Sequence, residues 1–154
     1  MAIEAIESFN KPYLIGAHIS EGVKLPSGES ISEIITTINH KNLLGMILSC
    51  VSPENYELNI TELKNLGVPF GFKLNGFMTT NPDKGYTDNF NKSKTGNPNE
   101  FLGHREDLMP EKMALLAKKF QEAGATILGG CCETRPAHIK EIAKLKKTYC
   151  NDFR

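Results

Sequence analysis

Four short apolar runs alternate with stretches of helical periodicity along this chain, and that alternation limits the folds open to it. The runs are Tyr13-Leu14-Ile15-Gly16-Ala17, Leu43 to Leu48, Phe70-Gly71-Phe72-Lys73-Leu74 and Thr126-Ile127-Leu128-Gly129-Gly130, each too short for a helix. A short helical stretch over Ala2 to Phe9 precedes the first and stops at Lys11-Pro12, where proline removes a donor. Ser30-Ile31-Ser32-Glu33 has the capping-box pattern, and Ile31, Ile34, Ile35 and Ile38 then mark one helix face. Ser52-Pro53-Glu54 supplies an N-cap, a first-turn proline and an acid that complements the helix dipole. Tyr56, Ile60 and Leu63 mark that helix, and Gly67 ends it. Pro110 opens a third, with Met113, Leu116, Ala117 and Phe120 on its apolar face and Gly124 as its cap. A closing helix from about Pro136 turns Ile139, Ile142 and Leu145 inward. Its Lys140, Lys144, Lys146 and Lys147 read as a solvated face before an anion site. Continuous apolar strands between amphipathic helices predict α/β architecture: a parallel sheet buried on both faces, with any chemistry beyond the carboxyl ends of its strands.

One domain over residues 1–154 is expected, with a core of its own and a long loop over 77–109 inserted after the third strand. That loop is rich in Asn, Gly, Pro, Lys and Thr but carries Phe77, Tyr86, Phe90 and Phe101, which favour an ordered lid over a linker. Within it, Asn81 to Tyr86 reads equally as a water-excluding lid or a surface insertion. Eighteen basic residues balance eighteen acidic ones, so the basic footprint of a nucleic-acid binder is missing. No apolar run approaches the roughly 20 residues of a membrane span, and the first residues are acidic where a signal peptide is basic. A cytoplasmic protein is expected.

The four cysteines, Cys50, Cys131, Cys132 and Cys150, are too few for a secreted disulfide framework. Metal or redox chemistry and plain burial as small hydrophobes both fit their spacing. Position favours chemistry for three of them. Cys50 ends the second strand and Cys131-Cys132 the fourth, and parallel strands bring both ends to one side of the sheet. Neighbours in a strand face opposite ways, so Cys131 and Cys132 converge only if the chain leaves strand geometry, a freedom that Gly129-Gly130 is expected to provide. Three thiolates suit tetrahedral Zn²⁺ and leave one position open to substrate. A thiol entering such a site loses its proton yet stays electron-rich, as attack on an electrophilic methyl group requires.

The stretch Ile127-Leu128-Gly129-Gly130-Cys131-Cys132-Glu133-Thr134-Arg135-Pro136-Ala137-His138-Ile139 resembles the carboxyl-terminal zinc motif of the homocysteine S-methyltransferase family, GGCC followed by a polar turn and P-x-H-I. Cys50-Val51-Ser52-Pro53-Glu54 resembles its upstream motif, with Ser49 where Asn is usual. Asn75, in Lys73-Leu74-Asn75-Gly76, falls where the family commonly has an asparagine. The resemblance implies a TIM-type barrel in which Cys50, Cys131 and Cys132 hold zinc and the thiolate of homocysteine takes the fourth position. It implies transfer of a methyl group from a small donor (S-methylmethionine, S-adenosylmethionine, betaine or a methylated folate), giving methionine. Asn75 would help shape the substrate pocket.

A complete (β/α)8 barrel needs about 250 residues. The motifs here align with strands five to eight, and the opening Glu4-Ala5-Ile6-Glu7 resembles the fourth helix. The Gly-rich first strand and the acidic residues that hold the amino acid part of homocysteine have no counterpart. The expectation is therefore a half-barrel with open strand edges and an exposed apolar inner face, completed by a partner half-barrel or a second copy. Two rivals to methyl transfer stand beside it: a zinc-binding half that does no chemistry alone, and a Cys131-Cys132 redox pair. His18, at the end of the first strand, reads as a hydrogen-bonded structural residue before a substrate contact, and His138 as structural. His104 and Cys150 carry no assignment.

Overall fold

The computed structural model describes residues 5–6, 8–37, 41–79 and 100–146. Its elements are β1 (Tyr13–Ala17), α1 (Ile31–Thr37), β2 (Leu43–Val51), α2 (Pro53–Lys64), β3 (Phe70–Leu74), a 3-10 turn at Glu100–Leu102, α3 (Pro110–Glu122), β4 (Ile127–Gly130) and α4 (Pro136–Ala143). The expected lid at Asn81 to Tyr86, Cys150, Ile38, Lys147 and half of the Ala2 to Phe9 helix lie outside the described residues.

Local sequence explains where the helices start. The Ser30 amide donates to Glu33 Oε2 at 2.7 Å and the Glu33 amide to Ser30 Oγ at 3.3 Å, the reciprocal bonds of a capping box. Ser52 Oγ accepts from the Asn55 amide at 3.2 Å, ahead of Pro53 in the first turn of α2. Gly67 and Gly124 both have positive φ, just past α2 and α3.

The four strands are parallel and lie in the order β1-β2-β3-β4, so each β/α unit adds one strand on the same side. This continuous winding, without the reversal of a doubly wound sheet, is consistent with a partial barrel.

The two faces of the sheet differ. Ala17, Leu48, Phe72 and Leu128 share one register row on the face that carries the core. Tyr56 of α2 and Phe120 of α3 meet Phe72 there, with ring centroids 4.8–5.6 Å apart in tilted or edge-on contact. Such pairs add about 0.5–1.5 kcal/mol each beyond burial. The next row, Gly16, Ile47, Gly71 and Ile127, faces the other way, as do Leu14, Ser49, Lys73 and Gly129. Leu14 is 46% exposed, Lys73 is exposed, and Ile47 and Ile127 are half-buried. Burial on both faces, expected from the apolar runs, is thus corrected: among the described residues the helices cover one face only. Ile139 also departs from expectation. It is 44% exposed, while Ile142 is buried and Leu145 packs on the core.

Gly71 shows how tightly the sheet is drawn together. A Cβ there would lie 1.8 Å from the Ile127 carbonyl oxygen, so only glycine allows β3 and β4 to approach as they do.

Candidate metal centre

β2 and β4 are not neighbours. With β3 between them, their axes are separated by roughly 10 Å, twice the usual strand spacing. Thiols at their ends meet only if both chains bend over the end of β3. On the β2 side the bend is a bulge. Ser49 pairs with Lys73 and Val51 with Leu74, leaving Cys50 as the extra residue, with φ of 56°. A bulge re-aims the side chain it carries, and positive φ in a cysteine is a strain held by its surroundings.

Asn75 supplies part of that support. It is fully buried, and its Nδ2 donates to the Cys50 carbonyl at 2.7 Å and lies 3.9 Å from Cys50 Sγ. Its Oδ1 accepts from the Phe77 amide at 3.2 Å.

On the other side β4 ends at Gly130, and the ladder continues one step as the Cys131 amide donates to the Leu74 carbonyl at 2.6 Å. The chain then turns. Thr134 donates to the Cys131 carbonyl through both its amide and Oγ1, at 3.1 and 2.5 Å, and the Gly76 amide donates to the Cys132 carbonyl at 3.0 Å. The positive φ that the turn requires falls on Glu133, at 61°, and not on Gly129 or Gly130. The expected role of those glycines is corrected accordingly. Gly130 is required for space, since a Cβ there would come within 2.4 Å of Thr134 Oγ1.

The two bends bring Cys50, Cys131 and Cys132 together. Cys50 Sγ is 3.6 Å from Cys132 Sγ, and Cys131 Sγ is 3.9 Å from Cys132 Sγ. All three sulfurs lie within 4.8 Å of one another, half-buried and not disulfide-bonded. A tetrahedral ion with metal–sulfur bonds of about 2.3 Å separates its sulfurs by about 3.8 Å, so the group fits such an ion with little movement. Burial and the neighbouring Cys131 and Cys132 thiols push the Cys50 thiol up to about 12. Burial also raises Cys132. Without a cation Cys50 and Cys132 keep their protons at neutral pH. A cation would hold them as thiolates and release protons on binding.

The histidines divide as expected. His18 is exposed, with Nδ1 3.0 Å from the Ser49 carbonyl and Nε2 2.9 Å from Ser20 Oγ, and so ties the end of β1 to β2. His138 is buried. Its Nδ1 accepts from the Arg135 amide at 3.0 Å, which leaves Nε2 to donate to the Leu108 carbonyl, also at 3.0 Å.

A cleft of about 340 Å³ opens between the loop after β1, the start of α2 and the segments at either end of the long loop. Ser20, Ser52, Glu54, Phe77, Thr79 and Arg105 are among its lining residues. Arg105 is one that the sequence did not single out. Its guanidinium bonds Glu54 Oε2 at 2.7 Å and grips both oxygens of Asp107, at 3.0 and 2.7 Å. No periodicity links Arg105 to Glu54, 51 residues away, so local patterns carry no sign of the pair.

Comparison with known proteins gives the family of the chain. The family model for homocysteine S-methyltransferase matches residues 1–145. Homocysteine S-methyltransferase 1 of Saccharomyces cerevisiae is 31% identical over 146 residues, covering 91% of this chain and 41% of the relative. Homocysteine S-methyltransferase 1 of Zea mays is 29% identical over 128 residues, 82% of this chain and 35% of the relative. Homocysteine S-methyltransferase 3 of Arabidopsis thaliana is 26% identical over 127 residues. The chain spans between about a third and two fifths of the length of these relatives. Among the described residues, no helix is long and apolar enough to cross a membrane. The chain belongs to the homocysteine S-methyltransferase family.

Proposed function

We propose that this chain is the metal-carrying half of a zinc-dependent homocysteine S-methyltransferase, with Cys50, Cys131 and Cys132 as the protein ligands. The single observation behind it is the spacing of the three sulfurs, close to that of a tetrahedral thiolate site. Zinc bound there would supply a Lewis acid that lowers the pKa of an incoming thiol while three thiolates keep the site electron-rich. The residues of the chain then have separate tasks. Cys50 is presented by the bulge of β2, Cys131 and Cys132 by the turn after β4, and Asn75 shapes the pocket by fixing Cys50. The substrates in this reading are homocysteine and a small methyl donor, the product is methionine, and the free thiols suit a reducing compartment such as the cytoplasm.

A second reading, a zinc-binding half-barrel that is inactive until joined by an amino-terminal half, is favoured by the open face of the sheet. In it the four β/α units correspond to strands five to eight of a TIM (β/α)8 barrel, and residues 1–154 form one domain with the 77–109 loop inserted after β3. A partner half-barrel or a second copy would cover the open face.

Both readings are tested by zinc titration of the reduced chain against a chromophoric chelator, followed by a methyl-transfer assay with homocysteine. One zinc per chain, lost in Cys50→Ser, is expected, with little turnover by the chain alone. Absence of stoichiometric zinc overturns both readings, whereas robust turnover by the isolated chain overturns the half-barrel.

A further inference from the structure

The two thiol-bearing bends belong to strands that do not touch, and one short segment holds both. Gly103, with φ of 68°, turns the chain back from the long loop, and His104 pairs antiparallel with Phe77. The Arg105 amide then donates to the Gly76 carbonyl at 2.9 Å, while the Gly76 amide bonds the Cys132 carbonyl. From this position the two side chains reach opposite ways. His104 Nδ1 lies 3.2 Å from Oε2 of Glu133, the residue that follows Cys132. The Arg105 guanidinium bonds Glu54, four residues past Cys50 in the first turn of α2, and Asp107 braces it from behind. The Arg105 side chain is only 18% exposed and is fixed by Asp107 as well, while its partner Glu54 is 63% exposed, so the pair is shielded from the Arg105 side alone.

We propose that residues 103–107 form a strap across the end of β3, and that Arg105 and His104 are positioning residues that hold the Cys50 bend and the Cys132 turn at ligand spacing. The inference rests on the reading of the three thiols as metal ligands. Its basis is geometric: Asn75 and Gly76, directly after β3, bond the Cys50 and Cys132 carbonyls, and the strap is tied to Gly76 while its two side chains reach Glu54 and Glu133, one beyond each bend. Groups that orient metal ligands in this way commonly change metal affinity by about 10–100-fold when removed.

The test is zinc affinity, by chelator competition, and the Co²⁺ absorption spectrum of the full 154-residue chain, for wild type, Arg105→Gln, Arg105→Lys and Glu54→Gln. Zinc affinity is expected to fall about tenfold or more in Arg105→Gln, with weakened tetrahedral Co²⁺ bands in a chain whose circular dichroism is unchanged. Arg105→Lys keeps the charge without the fork and is expected to rescue affinity in part. Glu54→Gln leaves the Arg105–Asp107 grip intact and decides the matter should Arg105→Gln fail to fold. Wild-type zinc affinity and Co²⁺ spectra in the folded variants overturn the strap alone. A wild-type chain that takes up no zinc overturns the metal reading as well.

Discussion

Phe72 and Lys73 are neighbours in β3, yet they belong to different environments. Phe72 is fully buried between Tyr56 and Phe120, whereas Lys73 stands exposed in a row with Ser49 and Gly129. The same contrast runs across the whole sheet: aromatic and aliphatic packing under the helices, and glycines, half-buried isoleucines and one lysine on the other side. Stability therefore comes from one face. The other is not covered by helices among the described residues, and the thiols lie at the carboxyl ends of β2 and β4.

The sharpest challenge to that contrast is Gly71, which points to the open face yet has no room. Gly71→Ala would drive a methyl group into the Ile127 carbonyl and break the β3–β4 pairing. A loss above about 4 kcal/mol, or no folded protein, is expected in urea denaturation. Next in size, Phe72→Ala is expected to cost about 3–5 kcal/mol by the same measurement. Lys73→Ala, one residue on, should stay within about 0.5 kcal/mol. Equal costs for this pair would show that the open face is packed after all.

Tyr56→Phe probes the covered face in the opposite direction. The Tyr56 hydroxyl is buried with no hydrogen-bond partner among the described residues, and burial raises its pKa. Removing it is expected to raise stability by about 1 kcal/mol, read as a shift in the urea midpoint at constant slope.

The smallest effect concerns pH at the rim. Arg105 holds the Glu54 carboxyl below its ordinary value. Its contribution is therefore complete above the usual carboxylate range and is lost as pH falls through the lowered native value. After allowance for solvent screening it is expected to be under about 1 kcal/mol. The difference in melting temperature between wild type and Arg105→Gln should shrink as pH is taken from 7 to about 3.

The sequence defines β1 and β3 to the residue, because Pro12, Pro69 and Asn75 bound short runs in which Lys73 is the one charged residue. It places the capping residues of α1 and α2 because Ser30, Glu33 and Ser52 act through local bonds. Parallel strands also place Cys50, Cys131 and Cys132 at the same end of the sheet, although their meeting depends on the bends at Cys50 and Glu133. Three things were not legible. An apolar strand reads alike whether one face or both are covered, so the runs by themselves point to burial on both faces, and an exposed inner face is expected only from the small number of strand units; Gly16 and Gly71 lie on that face. The bulge at Cys50 has no sequence signal, since cysteine is not a residue that advertises positive φ. The strap joins residues 51 and 29 positions apart, through Arg105–Glu54 and His104–Glu133, beyond the reach of any periodicity.

X-ray absorption at the zinc edge of the loaded, reduced chain tests the central claim most directly. The expected first shell is three sulfurs at about 2.3 Å and one lighter atom, changing to four sulfurs when homocysteine is added. A closed shell that homocysteine leaves unchanged, or zinc without three sulfur neighbours, would contradict the assignment of Cys50, Cys131 and Cys132 to an open thiolate site.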